Sequence, residues 1–482
     1  MSTTQNRRWM ALAVLSVSYL MVVLDVSIVN VALNDIRTDL KFDQSNLQWI
    51  LSGYALTFGG FLLLGGRMGD ILGRRKLFIA GLISFAGFSL LCGVATSPGM
   101  LITARILQGV AAAMLSPSVF SIVSVTFKEG AERNKALGIL GAVAGSGAAI
   151  GLIVGGVLTE KADWRWCFFI NIPIALVTLV MTFMFVEESR TDSEHRHFDA
   201  SGAFLITSAL MVLVYALTQA EKAGWWSVQT VGLIALSVIL HLAFYVVEKR
   251  SKHPLVPLAF FGKHKVATGS NLVGFGLGTI VSGIFLLLSL YMQQVLGYKP
   301  IETGVAYLAI ALTAIVASGA AQALVTKIGI RTALIIGMTL LGGGLIWLTQ
   351  IATDSTYWPM LFPGFMTIGI GLGFCFVPVS IAALVGVEPA NAGLASGLIN
   401  TSQQIGGAFG IAILSTVASA ITGTFDPLKP PADIPQRLSD GFGGSMWVAA
   451  GFAALSLLVV FTVLRGPELA EAGKEGGAVH MG

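Results

Sequence analysis

The feature that most constrains this chain is a series of apolar segments, each about 20 residues long, that recurs along the sequence. A helix of that length is long enough to cross a bilayer. Only 11% of the residues are charged, whereas soluble domains have roughly 25%. The sequence therefore predicts an all-α polytopic membrane protein. We place fourteen spans at residues 10–33, 47–66, 77–96, 100–125, 136–158, 166–186, 200–220, 228–247, 266–291, 303–325, 332–352, 357–386, 392–422 and 444–464.

The positive charges predict how these spans are oriented. Lysine and arginine are enriched in cytoplasmic loops. Of the 29 such residues, 20 lie in segments on the side of the N-terminus and eight lie in the alternate segments. We therefore expect a multi-pass protein of the cytoplasmic membrane with both termini in the cytoplasm. Because the cations cluster in these loops, we expect no nucleic-acid partner.

A short basic stretch, 66–76, separates the second and third predicted spans. It holds four cations, three glycines and one carboxylate, Asp70. Glycines allow tight backbone turns, and Asp70 can pair with a neighbouring arginine or with a helix N-terminus. Charge alone explains this stretch equally well as a topology signal, but the glycine spacing favours a tight, structured loop between two antiparallel helices.

Asp25 lies within the first predicted span. A carboxylate in the apolar part of a membrane helix costs about 2.5–3.5 kcal/mol, so it normally faces a polar cavity and has a function. Burial favours the protonated form of a carboxyl group, so we expect Asp25 to take up and release a proton. The alternatives are a structural aspartate bonded to another helix, or one that lies close enough to the outer surface to be hydrated.

Arg105 is the one cation placed within a predicted span. An unpaired arginine there is costly and should contact a carboxylate, a backbone carbonyl or water. Asp25 is the partner that we favour. The alternative is a shallow position from which Arg105 extends its guanidinium to the membrane surface.

The fifth span carries Gly147, Gly151 and Gly155 at four-residue spacing, followed by Gly156. This spacing places the first three glycines on one smooth helix face that another helix can approach closely. On its own the pattern predicts helix packing.

Four of these stretches resemble motifs of the drug/proton antiporters with fourteen spans, a branch of the major facilitator superfamily. They are the loop residues Gly66, Asp70, Gly73, Arg74 and Arg75, the segment 24–33 around Asp25, the Arg-x-x-Gln-Gly pattern at 105–109 and the Gly-x-x-x-Gly-Gly pattern at 151–156. The chain departs from the family motifs at Ile71, where arginine is usual, and at Leu152, where proline is usual.

The resemblance implies a major facilitator fold of two six-helix bundles, residues 10–187 and 266–464, with an inserted helix pair at 200–248. It implies that Asp25 takes part in proton or substrate coupling, that Arg105 takes part in proton transfer, and that the loop 66–75 locks the cytoplasmic side. The glycine motif of the fifth span is associated with exporters, which sets the expected direction of transport.

The C-terminal spans offer a substrate mainly apolar, aromatic or neutral polar side chains. For each phenylalanine among them, ordinary packing is the alternative explanation. With two residues from the first half, we predict substrate contacts from Asn30, Gln108, Phe285, Met292, Gln293, Phe374, Asn400, Gln403 and Gln404.

We therefore expect an antiporter that exports lipophilic small molecules such as drugs, antibiotics and dyes by alternating access, with drug and proton competing at or near Asp25. We expect a monomer in the lipid bilayer that uses the proton gradient, and no enzymatic activity, metal or cofactor, because the sequence has no phosphate-binding or metal motif. The alternatives are a dedicated exporter of one metabolite, antibiotic or lipid, a proton-coupled importer, or a membrane sensor or enzyme without transport.

Overall fold

The computed structural model describes residues 3–127, 131–189, 199–251, 254, 258–383, 385–387, 392–423 and 433–464. Within these ranges every regular element is a helix, as the composition predicts. The first half of the chain forms α1 (Thr3–Leu40), α2 (Gln44–Leu47), α3 (Trp49–Leu72), α4 (Arg74–Gly93), α5 (Pro98–Thr126), α6 (Ala131–Lys161), α7 (Trp166–Phe169) and α8 (Asn171–Phe185).

An inserted pair and a second half follow. The inserted pair is α9 (Ala200–Ala223) and α10 (Val228–Arg250). The second half begins after the short helix α11 (Leu258–Lys263) and contains α12 (Lys265–Gln294), α13 (Pro300–Ala306), α14 (Leu308–Ile328), α15 (Ile330–Leu348), a π-helical turn (Tyr357–Leu361), α16 (Phe362–Ala382), α17 (Ala392–Thr422) and α18 (Ile434–Thr462).

Most of these helices are long and apolar enough to cross a membrane. Among the described residues, 11 helical segments meet that condition by length and composition, and two shorter apolar segments occur at Trp49–Leu62 and Ser201–Leu217. The chain is therefore a multi-pass helical membrane protein. The count of fourteen spans stays a prediction.

The predicted loop between the second and third spans is wrong in its extent. The positions of Gly66 and Asp70 belong to the last turns of α3, and Arg74 begins α4. Only Gly73 lies between the two helices, with a φ of 105° that favours glycine. The chain reverses in a single residue because the charged positions on either side continue the helices. The side chain of Asp70 lies outside what the structure describes.

The junction between α14 and α15 repeats this geometry, with Gly329 at a φ of 81°. In the first half, the guanidinium of Arg75 donates to the carbonyl of Phe183 at 3.2 Å and lies 5.4 Å from its ring centre. In the second half, Arg331 donates to the carbonyl of Phe461 at 3.4 Å and lies 5.8 Å from that ring. In each half, therefore, an arginine at the start of the helix that follows the turn bonds to the last helix of that half, which is α8 in the first half and α18 in the second.

Helix α6 packs closely on α1 along the predicted glycine face. A Cβ atom at Gly147 would lie 2.9 Å from a side-chain carbon of Leu20, and one at Gly155 would lie 2.7 Å from the carbonyl oxygen of Ile28. Gly151 approaches Ser27 even more closely. These three glycines therefore lie on the face of α6 that approaches α1, the helix that carries Asp25.

The two halves meet toward the end of the bundle at which α1, α6 and α12 finish, called here the far end. Ser289 of α12 donates to the carbonyl of Asn30 at 2.7 Å, and Gln293 donates to the carbonyl of Val31 at 2.9 Å. Gly156, the fourth predicted glycine, faces the second half, where its Cβ would lie 2.7 Å from Cα of Ile301. The far end is therefore closed by contacts that involve the backbone, namely hydrogen bonds to carbonyls of α1 and the close approach of α6 to α13.

The inserted helix α9 covers the seam between α3 and α17. Thr207 of α9 donates to the carbonyl of Gly60 at 2.9 Å, and Thr416 of α17 donates to the carbonyl of Leu217 at 3.4 Å. Leu56, Leu210 and Ala412 belong to one apolar cluster that spans these three helices. The inserted pair is thus attached to both halves.

The glycine face yields a prediction about stability. We expect Gly155→Ala to lower the free energy of unfolding by about 1–3 kcal/mol, because the added methyl group meets the backbone of α1 and forces the helices apart. Gly87→Ala is the matched control, because a Cβ at Gly87 meets no atom within 4 Å. Thermal unfolding of both purified variants in detergent measures the difference. Equal stability of the two variants would contradict the packing assigned to this face.

Candidate functional site

Asp25 and Arg105 form a fully buried ion pair inside the first half. Both side chains are 0% exposed, and Nη1 of Arg105 donates to Oδ2 of Asp25. Asp25 comes from the middle of α1 and Arg105 from the first part of α5. The sequence predicted this pairing from the high cost of each charge in an apolar span.

The other oxygen of Asp25 accepts hydrogen bonds from two amides. Nε2 of Gln108 donates to Oδ1 at 2.9 Å, and Nδ2 of Asn171 donates to the same oxygen at 2.9 Å. Gln108 lies one turn after Arg105 on α5, whereas Asn171 is the first residue of α8. Asp25 therefore contacts three donors, which suits the ionised carboxylate.

Arg105 has a further set of partners that do not depend on Asp25. Its Nε donates to the carbonyl of Ile50 at 3.1 Å, and its Nη1 donates to Oε1 of Gln108 at 2.8 Å. The guanidinium lies 4.2 Å from the ring centre of Tyr54 and 5.8 Å from that of Phe168. An aromatic face attracts a cation, and the attraction is stronger where water is excluded. The guanidinium is therefore held by α3, α5 and α7 together.

Sequence reasoning missed two members of the site, Asn171 and Ser89. Nδ2 of Asn171 also donates to Oγ of Ser89 at 3.0 Å, and that hydroxyl donates to the carbonyl of Phe168 at 2.8 Å. Both side chains are buried. The available signal was the amide of Asn171 at the entry of an otherwise apolar helix, but its distance of 146 residues from Asp25 hides the contact.

The structure excludes the alternative of a shallow Arg105, because its side chain has no exposed surface. Asp25 is likewise enclosed by protein groups and does not face an open cavity, and it bonds to other helices as the structural alternative proposed. A substrate cannot touch its oxygens in this arrangement. Removing either charge would leave the other buried without its counter-charge, which is strongly unfavourable.

The basic turn contacts the segment that follows α8. Oε1 of Glu188 accepts from the backbone N–H of Arg75 at 3.2 Å, and the N–H of Arg74 donates to the carbonyl of Ser189 at 3.2 Å. A carboxylate at the start of α4 is favourable because a helix N-terminus attracts negative charge. A Cβ at Gly73 would lie 2.7 Å from Oε1 of Glu188, but that exposed side chain can move aside, so it is the φ of 105° that favours glycine at this position.

The predicted substrate contacts lie on five helices, α1, α5, α12, α16 and α17, and their role in binding stays a prediction. Gln108 belongs to the buried network, and Asn30 and Gln293 lie where the halves meet. Met292 is fully buried. The remaining five are spread over the second half: Phe285 packs on Tyr307, Phe374 on α15, Gln403 on α12 and Gln404 on α3, while Asn400 is exposed.

The ion pair yields a prediction about stability. We expect Arg105→Leu to lower the free energy of unfolding by about 3–5 kcal/mol, because Asp25 is then buried without a counter-charge. The double variant Asp25→Asn with Arg105→Leu should recover part of that loss, because it removes both charges. Thermal unfolding in detergent measures both. A double variant that is less stable than Arg105→Leu alone would contradict the pairing.

Comparison with known proteins places this site in a family. A profile of the Major Facilitator Superfamily matches residues 15–411. The chain is 40% identical to the puromycin resistance protein pur8 of Streptomyces alboniger over 94% of this chain and 90% of that protein. It is 35% identical to the cephamycin export protein CmcT of Amycolatopsis lactamdurans over 93% and 91% of the two chains.

Among solved structures, a bacterial homolog of the human lysosomal transporter Spinster, inward-facing and unoccupied, has the same fold. The TM-score is 0.71 at 16% identity, with 98% of this chain and 99% of that chain covered. The family expected from the motifs is confirmed by the profile and by the relatives. The chain belongs to the major facilitator superfamily and is a membrane transporter rather than an enzyme.

Proposed function

We propose that this chain exports lipophilic small molecules such as drugs, antibiotics or dyes across the cytoplasmic membrane in exchange for protons. The observation that carries the proposal is the buried pair of Asp25 and Arg105, the described charges that lie deep within the helices of this transporter fold. The relatives named for puromycin resistance and cephamycin export support the direction and the class of substrate.

The proposal includes the setting of the protein in the cell. The lysine and arginine distribution supports a cytoplasmic location for both termini. The far end then lies outside, so that the contacts between the halves close the transporter toward the exterior. We propose a monomer that works without a cofactor and draws its energy from the proton gradient.

Protonation of Asp25 would change the balance of charge in the site. A neutral Asp25 leaves the Arg105 guanidinium without its counter-charge, although the carbonyl of Ile50, Oε1 of Gln108 and the ring of Tyr54 remain as partners. A buried charge without its partner is unfavourable by several kcal/mol. Proton uptake therefore supplies free energy for a rearrangement of α1 against α5.

Helix α1 connects that rearrangement to the contact between the halves. The carbonyls of Asn30 and Val31, which accept from Ser289 and Gln293, lie five and six residues after Asp25. At 1.5 Å per residue this separation is about 8–9 Å along the helix axis. A movement of α1 at Asp25 would therefore shift the carbonyls that close the far end.

This geometry favours an indirect competition between substrate and proton. The donors around Asp25 leave its oxygens enclosed, so a substrate would act on Asp25 by moving α1 and not by touching the carboxylate. Proton binding and substrate binding then favour different positions of the same helix. Because the two positions of α1 exclude each other, the transporter would carry either a proton or a substrate, and it would exchange one for the other.

A second candidate is a dedicated exporter of one antibiotic. The relatives named above refer in each case to a single antibiotic, puromycin or cephamycin. A transporter of this kind would use the same ion pair and the same closure. It would differ in the range of compounds that it moves.

We expect Asp25→Asn to abolish uphill efflux at wild-type expression, because an amide cannot exchange a proton. The measurement is efflux of ethidium, puromycin and a cephamycin from cells that express each variant, with and without an uncoupler. Wild-type efflux of at least one compound should stop when the uncoupler is added. Efflux of several compounds supports a multidrug exporter, and efflux of only one supports the dedicated exporter.

Asp433→Asn is the matched control for this experiment. Asp433 is an exposed carboxylate whose hydrogen bond from Arg437 at 2.8 Å holds its pKa below the usual range. It lies before α18, far along the chain from the ion pair, and we expect its loss to leave efflux unchanged. Continued uphill transport by Asp25→Asn under a proton gradient would place the proton site elsewhere.

A further inference from the structure

We propose that Asn171 is a positioning residue that follows the protonation state of Asp25 by turning its side-chain amide. The inference rests on the proposed proton exchange at Asp25. In the arrangement observed, the amide presents an N–H to the carboxylate. After protonation it would present its carbonyl oxygen to the new O–H.

The present contacts of Asn171 use only its nitrogen. Nδ2 donates to Oδ1 of Asp25 at 2.9 Å and to Oγ of Ser89 at 3.0 Å. The amide oxygen is buried and has no hydrogen-bond partner among the described residues. Buried polar atoms normally have a partner, so this oxygen needs an explanation. One explanation is that this oxygen accepts a hydrogen bond in another protonation state of the site.

The neighbours of Asp25 leave few other acceptors for a protonated carboxyl. Arg105 has donors alone. Oε1 of Gln108 already accepts from Nη1 of Arg105 at 2.8 Å and from Sγ of Cys92 at 3.6 Å. If Gln108 turned its amide, Arg105 would lose a hydrogen bond at the moment when it also loses its counter-charge. The amide oxygen of Asn171 can accept without that cost.

The turn requires no bond to form or break at Asn171. A half-turn about the Cβ–Cγ bond exchanges the positions of Nδ2 and Oδ1, so that the O–H of Asp25 can donate to Oδ1. The proton remains on Asp25 throughout. The amide therefore stabilises both forms of the carboxyl group and favours the form that matches its own orientation.

Other titratable or charged groups also face Asp25 in the described part of the chain. Arg105 from α5, Tyr54 from α3, Cys92 from α4 and Cys167 from α7 interact with it electrostatically. Arg105 is the cation among them, and it touches the opposite oxygen, Oδ2. A variant that acts through Asn171 must therefore leave these four residues in place.

Ser89 supplies such a variant. Its hydroxyl accepts from Nδ2 of Asn171 and so stabilises the orientation that serves the ionised carboxylate. In the described part of the chain this hydroxyl bonds to Asn171 and Phe168 and not to Asp25, whose three donors stay intact in Ser89→Ala. If the amide turns, removing this hydroxyl favours the turned orientation and hence the protonated carboxyl. If the amide is fixed, the variant leaves the midpoint of Asp25 protonation unchanged.

The experiment is an infrared pH titration of the purified protein, without substrate. The carboxylic C=O band that Asp25→Asn removes reports the protonation of Asp25. We expect Ser89→Ala to move the midpoint of this band to higher pH by about half to one unit, the size expected from one hydrogen bond. Ser18→Ala is the matched control, because Ser18 is a buried serine of α1 whose hydroxyl bonds to Val14 of the same helix. Its midpoint should not move.

A double-mutant comparison tests the route of the effect. In a protein with Asn171→Leu, the further change Ser89→Ala should no longer move the midpoint, because the group through which Ser89 acts is gone. If Asn171→Leu does not fold, the comparison of Ser89→Ala with Ser18→Ala still decides. An Asp25 band that titrates without a shift in Ser89→Ala overturns this inference alone. The absence of any titrating band that depends on Asp25 overturns the proposed proton exchange as well.

Discussion

The structure of the first half depends on the buried ion pair between Asp25 and Arg105. Two charges in an apolar interior need each other and enough hydrogen bonds to satisfy their remaining atoms. Six elements supply those partners: α1 and α5 carry the charges, α3 offers a carbonyl and an aromatic ring, α7 offers the ring and carbonyl of Phe168, and α4 and α8 complete the network through Ser89 and Asn171. The pair therefore fixes the relative positions of these helices.

An ion pair of this kind is a poor device for stability alone. Well-packed apolar side chains of similar volume are often as stable or more so. Under the proposed proton exchange, its value lies in the dependence of its free energy on one proton. The glycine face of α6 makes that dependence mechanically useful, because Gly147, Gly151 and Gly155 bring α6 against the backbone of α1 on the side that carries Leu20 to Ile28. Because the two helices are in close contact, a movement of α1 would also move α6.

Parts of this site could be predicted from the sequence because their residue types or spacing differ from those of the apolar spans around them. A carboxylate and a guanidinium in apolar spans are costly, and glycines at four-residue spacing leave a recognisable smooth face. Asn171 and Ser89 do not stand out in this way, since amides and hydroxyls are tolerated in membrane helices by bonding to their own backbone, as Thr178 does with Ile174. Their role depends on how the helices are rotated and packed, which composition does not determine.

The same limit applies to the basic stretch and to the predicted substrate contacts. The basic stretch after Gly66 was expected to be a loop, but charge does not end a helix, and only the positive φ of Gly73 does so here. The predicted substrate contacts were chosen by residue type. The structure spreads them over several helices, because side chains of equal polarity can face a junction, the core or the surface. Residue type predicted the fold class and the charged pair, whereas the direction in which each neutral side chain points required the structure.

The two halves share a scaffold but not a chemistry. Gly73 and Gly329 make the same turn, and Arg75 and Arg331 make the same contact with a phenylalanine of the last helix. In the interior they differ, since the buried polar residues described in the second half are uncharged. Under the proposed proton exchange, a response to one proton would therefore begin in the first half and reach the second through contacts such as those of Ser289 and Gln293 with α1. Because Ser289 and Gln293 donate to carbonyls of the helix that carries Asp25, α1 connects the ion pair of the first half to the second half.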